Sequence, residues 1–235
     1  MGGDSQIKVE LNLLEAATKS YHSYYHLISG VDFPLKSQDY IHQYFADNQG
    51  SEFIRFDDNF IRNKEFIDRI RYYYFFQNII GRNSGKVPAL FYRLQNCFLF
   101  FQKQLHLDRT KKYSFGIYKG TNWFSITHKM AIYLLQNIHI IDKLCNHSFC
   151  ADEIFLQTIA MMSPYKNKIV NDSLRYIDWN RGNPYTFRDE DFQELKKTDR
   201  IYARKFDEKI SMMLVNKIYD NIKSDYSNKK DIENL

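Results

Sequence analysis

The sequence contains few of the residues that form tight turns, with only 9 glycines and 4 prolines among its 235 residues. This scarcity disfavours an all-β protein built from many short hairpins. Its longest apolar runs, Tyr72–Phe76 and Cys97–Phe101, are far shorter than the roughly 20 residues that a membrane-spanning helix needs. The first residues lack the basic and apolar regions of a signal peptide, so we expect no secretion signal.

Sequence motifs of several common site types are also absent. The three cysteines, Cys97, Cys145 and Cys150, are odd in number and lack the spacing of zinc ligands. We therefore expect reduced thiols and a cytoplasmic protein. Neither a glycine-rich phosphate loop nor a nucleophile elbow is present, which argues against a P-loop NTPase and an α/β-hydrolase.

The sequence is mildly basic, with a formal net charge of +5. A basic balance is compatible with an ordinary protein surface and with an anionic partner, such as a nucleotide phosphate, nucleic acid or an acidic membrane. No predicted helix or strand concentrates basic and aromatic residues, so we expect no nucleic-acid partner.

Hydrophobic periodicity predicts helices that alternate with short strands, which is typical of an α/β fold with some parallel pairing. We predict one domain over residues 1–220 and a polar tail over 221–235. The predicted strands cover residues 24–28, 52–56, 122–126 and 174–179. The predicted helices cover residues 6–19, 38–45, 64–76, 127–144 and 210–222, with others opening at Asp152 and Asp189.

One apolar stripe at helical spacing has two interpretations. It contains Leu90, Leu94, Cys97, Phe98, Phe101 and Leu105. Packing in the core is the favoured interpretation. The alternative is an amphipathic helix in peripheral contact with the inner face of a membrane, which would suit a lipid-linked acceptor. The basic residues flanking this stripe are Lys86, Arg93, Lys103, Lys111 and Lys112.

Ligands of open α/β sheets bind beyond the carboxyl ends of the strands. We expect those ends at Ser29–Asp32, around Gly120 and after Trp179.

Five local patterns occur in the order found in one enzyme family. They are Ser29–Ser37, Lys119–Phe124, Asp152–Thr158, Asn171–Trp179 and Ala203–Asp207. Together they resemble the core-2/I-branching β-1,6-N-acetylglucosaminyltransferases and the peptide O-xylosyltransferases, glycosyltransferase family 14. The resemblance extends from residue 5 to about residue 210.

This resemblance implies a GT-A-type, Rossmann-like fold and an inverting glycosyltransferase that needs no metal or other cofactor. The implied donor is UDP-N-acetylglucosamine (UDP-GlcNAc), with UDP-xylose as the alternative, and the expected acceptor is a glycan, or a lipid-linked oligosaccharide if the apolar stripe contacts a membrane. The family's nucleotide-binding segment normally precedes the residues that match Gly2–Gln6. We therefore expect an N-terminally truncated domain, which leaves a non-catalytic glycan-binding remnant as a second hypothesis.

The resemblance also assigns the chemistry to particular residues. Glu153 matches the base that takes the proton from the acceptor hydroxyl. Its alternative role, shared with Asp152, is to offset a helix dipole. Arg175 and Lys205 match the pair that binds the donor diphosphate. Their alternatives are a strand arginine paired with a nearby aspartate and a solvated surface lysine.

Several further residues are candidates for sugar binding. Asp32 follows a Ser-Gly turn, where it could accept from a sugar hydroxyl or simply cap the turn. Gly120 would let a ligand approach the backbone, and Trp123 could stack on a sugar or pack in the core. Asp57 and Asp58 follow a strand, where they could bind an acceptor, although surface charge is the favoured interpretation.

The segment Asp189-Glu190-Asp191 contains an Asp-x-Asp pattern that holds a metal in other glycosyltransferases. It follows no apolar strand, and Phe192 and Leu195 continue it as an amphipathic helix. We therefore expect fixed cations, not a metal, to stabilise the leaving nucleotide.

Overall fold

The computed structural model describes residues 5–57, 64–80, 85–149 and 151–233. It divides into two compact units. The first unit comprises residues 1–27 and 51–171, and the second comprises residues 28–50 and 172–235. The expectation of a single domain over residues 1–220 stays a prediction.

The helices among these residues are, in chain order, α1 (Ser5–Ala17), α2 (Gln38–Asp47), α3 (Lys64–Arg71), α4 (Gln77–Ile80), α5 (Lys86–Gln104), α6 (His128–Gln136), α7 (Ile138–Cys145), α8 (Phe155–Met162), α9 (Phe192–Lys197) and α10 (Met212–Glu233). The strands are β1 (Tyr24–His26), β2 (Asp32–Pro34), β3 (Glu52–Phe56), β4 (Gly120–Thr127), β5 (Ile169–Val170), β6 (Arg175–Ile177) and β7 (Tyr202–Arg204).

The first unit contains a sheet with the strand order β1-β4-β3-β5. β4 pairs antiparallel with both β1 and β3, whereas β3 and β5 are parallel. Apolar side chains of β3, β4, α1 and the helices α6 to α8 form the core of this unit, for example Ile54, Ile126 and Leu156. Mixed pairing with helical cover confirms the predicted α/β class.

The second unit contains a sheet with the order β2-β7-β6. β7 is antiparallel to β2 and parallel to β6. Phe187, Leu195 and Leu214 are fully buried in a second core beside Ala203 of the central strand. β2 and β6 therefore flank β7, one on each side.

Two predicted helix starts are confirmed by their capping bonds. The hydroxyl of Ser37 accepts from the backbone N–H of Tyr40 at 3.2 Å and opens α2. The hydroxyl of Thr127 accepts from the N–H of Met130 at 3.3 Å and opens α6. Each hydroxyl satisfies one of the N–H groups that lack a partner in the first helical turn.

Several predicted boundaries are wrong. The helix predicted over residues 127–144 is interrupted at Asn137, whose side chain donates to the Tyr133 carbonyl. Asp152 and Glu153 do not open an α-helix but lie in a 3-10 turn before α8. The segment predicted as a polar tail continues α10 as far as Glu233. The helix predicted over residues 64–76 ends at Arg71.

The favoured interpretation of the apolar stripe is also wrong, because the stripe on α5 is not in the core. Leu90, Phe101 and Leu105 are 57%, 56% and 77% exposed. The buried side chains of α5 are instead those of Gln95 and Gln102. Periodicity shows that a helix has an apolar face but does not show which way that face points. None of the helices in the described ranges is both long and apolar enough to cross a membrane.

Candidate active site

Glu153 lies at the end of a 3-10 turn, Ala151–Glu153, directly before α8. Two polar side chains of α8 fix the position of this turn against the sheet. The Gln157 amide donates to the carbonyls of Arg55 and Thr121 at 3.0 and 2.7 Å, and the Thr158 hydroxyl accepts from the N–H of Tyr118 at 3.1 Å. These hydrogen bonds join α8 to β3, to β4 and to the residues just before β4, and they thereby position Glu153.

Lys119 lies between Glu153 and Asp57. Its Nζ atom is 3.7 Å from Oε2 of Glu153 and forms an ion pair with Asp57. The backbone brings these residues together, because the N–H of Asp57 donates to the Lys119 carbonyl at 2.9 Å and extends the β3–β4 pairing. Two carboxylates, Glu153 and Asp57, and the lysine between them thus form one polar group in the first unit.

The electrostatic surroundings of Glu153 suit a general base. Partial burial raises the pKa of its carboxyl group, while the positive charge of Lys119 lowers it. The side chain remains 37% exposed, so an acceptor could reach it. A carboxylate whose pKa is raised is a stronger base in its ionised form than an ordinary surface carboxylate.

A second pair of carboxyl groups lies deeper in the same unit. Glu10 of α1 is only 8% exposed, and burial raises its pKa to about 7, with a smaller contribution from Asp152. Gln6 donates to Oε1 of Glu10 at 3.2 Å, but Oε2 has no hydrogen-bond partner among the described residues. Burial also raises the pKa of Asp152.

The structure changes the interpretation of Gly120. It is the first residue of β4, not the end of a strand, and it pairs with Phe56 at the carboxyl end of β3. A Cβ atom at this position would lie 1.8 Å from the Arg55 carbonyl oxygen and 2.6 Å from Nε2 of Gln157. The space that the glycine leaves is therefore filled by protein, and it allows β4 to pack closely against β3.

The sugar-binding predictions for Trp123, Asp57 and Asp58 have different outcomes. Trp123 lies in β4 and is partly buried without belonging to the core, so sugar stacking stays a prediction. Asp57 is paired with Lys119, as described above. Asp58 lies outside the described residues.

Asp32 and Arg175 are both in the second unit, where they form a buried pair. Their side chains are 1% and 0% exposed, and Nε of Arg175 lies 4.0 Å from Oδ2 of Asp32. Nη1 of Arg175 also donates to the Ser173 carbonyl at 2.8 Å, and the guanidinium group lies over the Tyr202 ring. Burial lowers the pKa of Arg175 to about 10, so it remains a cation at neutral pH.

Arg204 and the turn before β2 complete the surroundings of Asp32. Nη1 of Arg204 lies 3.3 Å from Oδ1 of Asp32 and 2.7 Å from the Ser29 hydroxyl. The backbone N–H of Ser29 donates to Oδ2 of Asp32 at 2.7 Å. This geometry corresponds to the turn-capping alternative for Asp32.

Lys205 follows β7 and is half-buried. Its ammonium group has no carboxylate partner within the described part of the chain. Lys205 is thus a cation that an anionic ligand could pair with, whereas Arg175 already binds a carboxylate.

The Asp189-Glu190-Asp191 segment is occupied by internal pairs. Asp191 accepts from Arg181 at 2.6 Å, and Asp189 from Lys217 at 2.7 Å. Among the residues with described positions, no group of three or more His, Cys, Asp and Glu side chains could hold a metal. Metal independence itself stays a prediction.

Sequence reasoning missed three residues that shape these groups. Lys119 and Arg204 stood inside recognised motifs without an assigned role, and Glu10 was one polar residue of an amphipathic helix. Their importance depends on contacts between distant parts of the chain. The one local signal was the position of Glu10 on α1. It is one helical turn from both Ile7 and Leu14, which places it on the buried face of the helix.

A mixed α/β fold with a half-buried carboxylate beside a lysine fits a glycosyltransferase. The sequence profile described as "Branch: Core-2/I-Branching enzyme" matches residues 1–200, and the chain belongs to this family of glycosyltransferases. The chain is similar to xylosyltransferase 1 of Rattus norvegicus, with 23% identity over 164 residues that cover 58% of this chain and 20% of the relative.

It is similarly related to xylosyltransferase 1 of Canis lupus familiaris and of Mus musculus, again with 23% identity over 164 residues. Those two alignments cover 58% of this chain and 17% of each relative. The aligned region therefore spans about a fifth or less of these curated relatives.

Proposed function

We propose that the protein transfers a sugar from a UDP-sugar to a glycan acceptor, with inversion at the anomeric carbon and without a metal ion. Family membership supports a nucleotide-sugar donor and a glycan acceptor. The observation that carries the proposal is the Glu153 carboxylate, half-buried, fixed before α8 and adjacent to the Lys119 ammonium group.

In the proposed reaction Glu153 acts as the base. It takes the proton from the acceptor hydroxyl while the hydroxyl oxygen attacks C1 of the donor sugar. The new C1–O bond forms as the bond from C1 to the UDP oxygen breaks, and the electron pair of that bond stays on the β-phosphate. Because the proposed donors are α-linked and attack comes from the face opposite the leaving UDP, the product is a β-linked glycoside.

The negative charge that develops on the diphosphate requires a positive partner. In this proposal Lys205 contacts the diphosphate directly, because its half-buried ammonium group has no carboxylate partner among the described residues. Arg175 contributes as a buried cation that holds Asp32 and the turn at Ser29 in place. Direct contact of Arg175 with phosphate, as the family resemblance implies, stays a prediction.

Two donors are proposed, and different observations favour them. The resemblance to branching N-acetylglucosaminyltransferases favours UDP-GlcNAc, and the name xylosyltransferase of the curated relatives favours UDP-xylose. The acceptor is proposed to be a glycan or a lipid-linked oligosaccharide.

The two donors can be distinguished by parallel assays. The protein is incubated with each UDP-sugar and a mixed panel of glycan acceptors, and UDP release and the anomeric configuration of the product are measured by NMR. We expect UDP release with one of the two donors and a β-linked product. An α-linked product would contradict the inverting mechanism, and release with neither donor would contradict the proposed donors.

A further inference from the structure

Helix α5 directs two glutamine side chains, Gln95 and Gln102, into the interior of the protein. Gln95 and Gln102 are 2% and 8% exposed. The Gln102 amide donates to the Tyr73 carbonyl at 3.0 Å and accepts from the Tyr73 N–H at 2.7 Å, while Gln95 accepts from the N–H of Phe76 at 3.3 Å. Rotating α5 to bury its apolar face would leave these buried groups without partners, at a cost of about 1–3 kcal/mol each.

One side of α5, next to the face with the buried glutamines, carries a row of exposed apolar side chains, which we call the α5 stripe; Phe98 in this row also contacts the rings of Phe75 and Phe76. Its residues are Val87, Leu90, Leu94, Phe98, Phe101 and Leu105, each between 41% and 77% exposed. They are three or four positions apart and therefore line one side of the helix. Over 18 residues the stripe is about 27 Å long. Contiguous exposed apolar surfaces of this size mark interaction sites.

The charged residues of the α5 segment from Lys86 to Leu107 are all basic, and the next residue, Asp108, is paired with Arg71. No aspartate or glutamate occurs between Lys86 and Leu107 in a chain that has 28 acidic residues. Lys86 and Arg93 are exposed beside the stripe, Lys103 lies on the opposite side of the helix with its ammonium group over the Tyr72 ring, and the exposed pair Lys111 and Lys112 follows the helix. An apolar stripe with cationic side chains beside it and directly after it is typical of helices that lie in the interface of an anionic membrane.

We propose that the α5 stripe docks the protein onto the surface of a membrane that contains anionic lipids. The helix lies in the plane of the membrane, the stripe enters the boundary between headgroups and acyl chains, and Lys86, Arg93, Lys111 and Lys112 contact anionic headgroups. A second copy of the chain is a poorer occupant, because it would bring the same cations to the contact without any carboxylate from this segment. The inference is independent of the proposed transfer reaction.

The test is sedimentation of the protein with vesicles. One set of vesicles contains phosphatidylcholine alone, and the other contains phosphatidylcholine with phosphatidylglycerol. We expect binding to the anionic vesicles that weakens as salt is added, and little binding to the neutral ones.

Two kinds of variant separate the apolar and the charged contributions. Leu90→Gln combined with Phe101→Gln should lower the partition coefficient by at least about tenfold, because membrane binding scales with buried apolar area. Lys86→Gln combined with Arg93→Gln should lower binding to anionic vesicles by roughly fivefold for each charge removed. The matched control is Val9→Gln combined with Leu13→Gln, which removes two exposed apolar side chains from α1 and should leave binding unchanged.

Three outcomes would overturn the proposal. The first is that the protein does not bind the anionic vesicles. The second is that both pairs of substitutions leave vesicle binding unchanged, as the control pair does. The third is concentration-dependent self-association in light scattering that the Leu90→Gln and Phe101→Gln changes abolish, since a second copy would then be the occupant. Circular dichroism of each variant establishes that it is folded, and the salt dependence of the unaltered protein tests the charge argument without any substitution.

Discussion

The ammonium group of Lys119 lies 3.7 Å from the carboxylate of Glu153 and lowers the pKa that burial raises. Because the proposed base must be ionised, the transfer rate should fall as the pH drops through the pKa of Glu153. The acidic limb of the pH–rate profile therefore reports this pKa.

Replacing Lys119 should move that limb. Lys119→Gln removes the neighbouring positive charge, so the pKa of Glu153 rises and the acidic limb of kcat/KM shifts to higher pH. Lys119→Arg should restore the limb, because it keeps the charge. Lys166→Gln, at an exposed lysine elsewhere in the first unit, serves as the control. A limb that stays in place in Lys119→Gln would show that Glu153 is not the titrating base.

The buried carboxyl group of Glu10 predicts a stability change with a definite sign. Its pKa is raised to about 7 by burial, so the folded state binds its proton more tightly than the unfolded state. The stability contribution is complete below the unfolded pKa and is lost as the pH rises through about 7.

Glu10→Gln should therefore stabilise the protein at pH 8, by up to about 3 kcal/mol, and have little effect at pH 4. Thermal unfolding at both pH values measures the difference. Glu15→Gln, on the exposed side of α1, should change stability at neither pH. Equal effects of Glu10→Gln at pH 4 and pH 8 would contradict the burial of an ionisable group at this position.

Replacing Arg175 and replacing Lys205 should have different effects on stability and on UDP binding. Arg175→Met breaks a buried pair and should lower the free energy of unfolding by about 3 kcal/mol. Lys205→Met should leave stability nearly unchanged but weaken UDP binding by about tenfold, because a charge-assisted contact is lost.

Denaturant unfolding and calorimetric titration with UDP measure these two effects. Arg200→Met, which removes a partly exposed ion pair with Asp172, should cost less than about 1 kcal/mol and serves as the control. If Lys205→Met bound UDP as tightly as the unaltered protein, Lys205 would have no place in the diphosphate contact.

Transfer should be insensitive to metal removal. The carboxylates of Asp189 and Asp191 are engaged by Lys217 and Arg181, so this segment does not present a pair of open ligands. We expect the same initial rate with and without EDTA, and no increase on adding manganese. A rate that EDTA abolishes and manganese restores would contradict fixed-cation stabilisation of the leaving group.

Local patterns predicted much of the fold. β3 has the predicted bounds, and the caps at Ser37 and Thr127 are confirmed because capping depends on residues three positions apart. The orientation of α5 was not predictable from its period. It depends on Gln95 and Gln102, which bind backbone groups of residues 73–76 that no helical pattern identifies.

The surroundings of the candidate site were predictable only in part. The family resemblance identified Glu153, Arg175 and Lys205 as functional candidates, but not their contacts. The Lys119–Asp57 pair results from the pairing of β3 with β4, and the Asp32–Arg175 pair from strands on opposite sides of β7. Such contacts join residues that are distant in sequence, so neither periodicity nor spacing reveals them.

The central claim is that the Glu153 carboxylate activates the acceptor. The most direct measurement compares Glu153→Gln with Glu208→Gln, an exposed control, for both sugar transfer and UDP binding. We predict that Glu153→Gln lowers the transfer rate by about 10²- to 10⁴-fold and leaves UDP affinity unchanged. Transfer by Glu153→Gln at the rate of the unaltered protein would contradict the account.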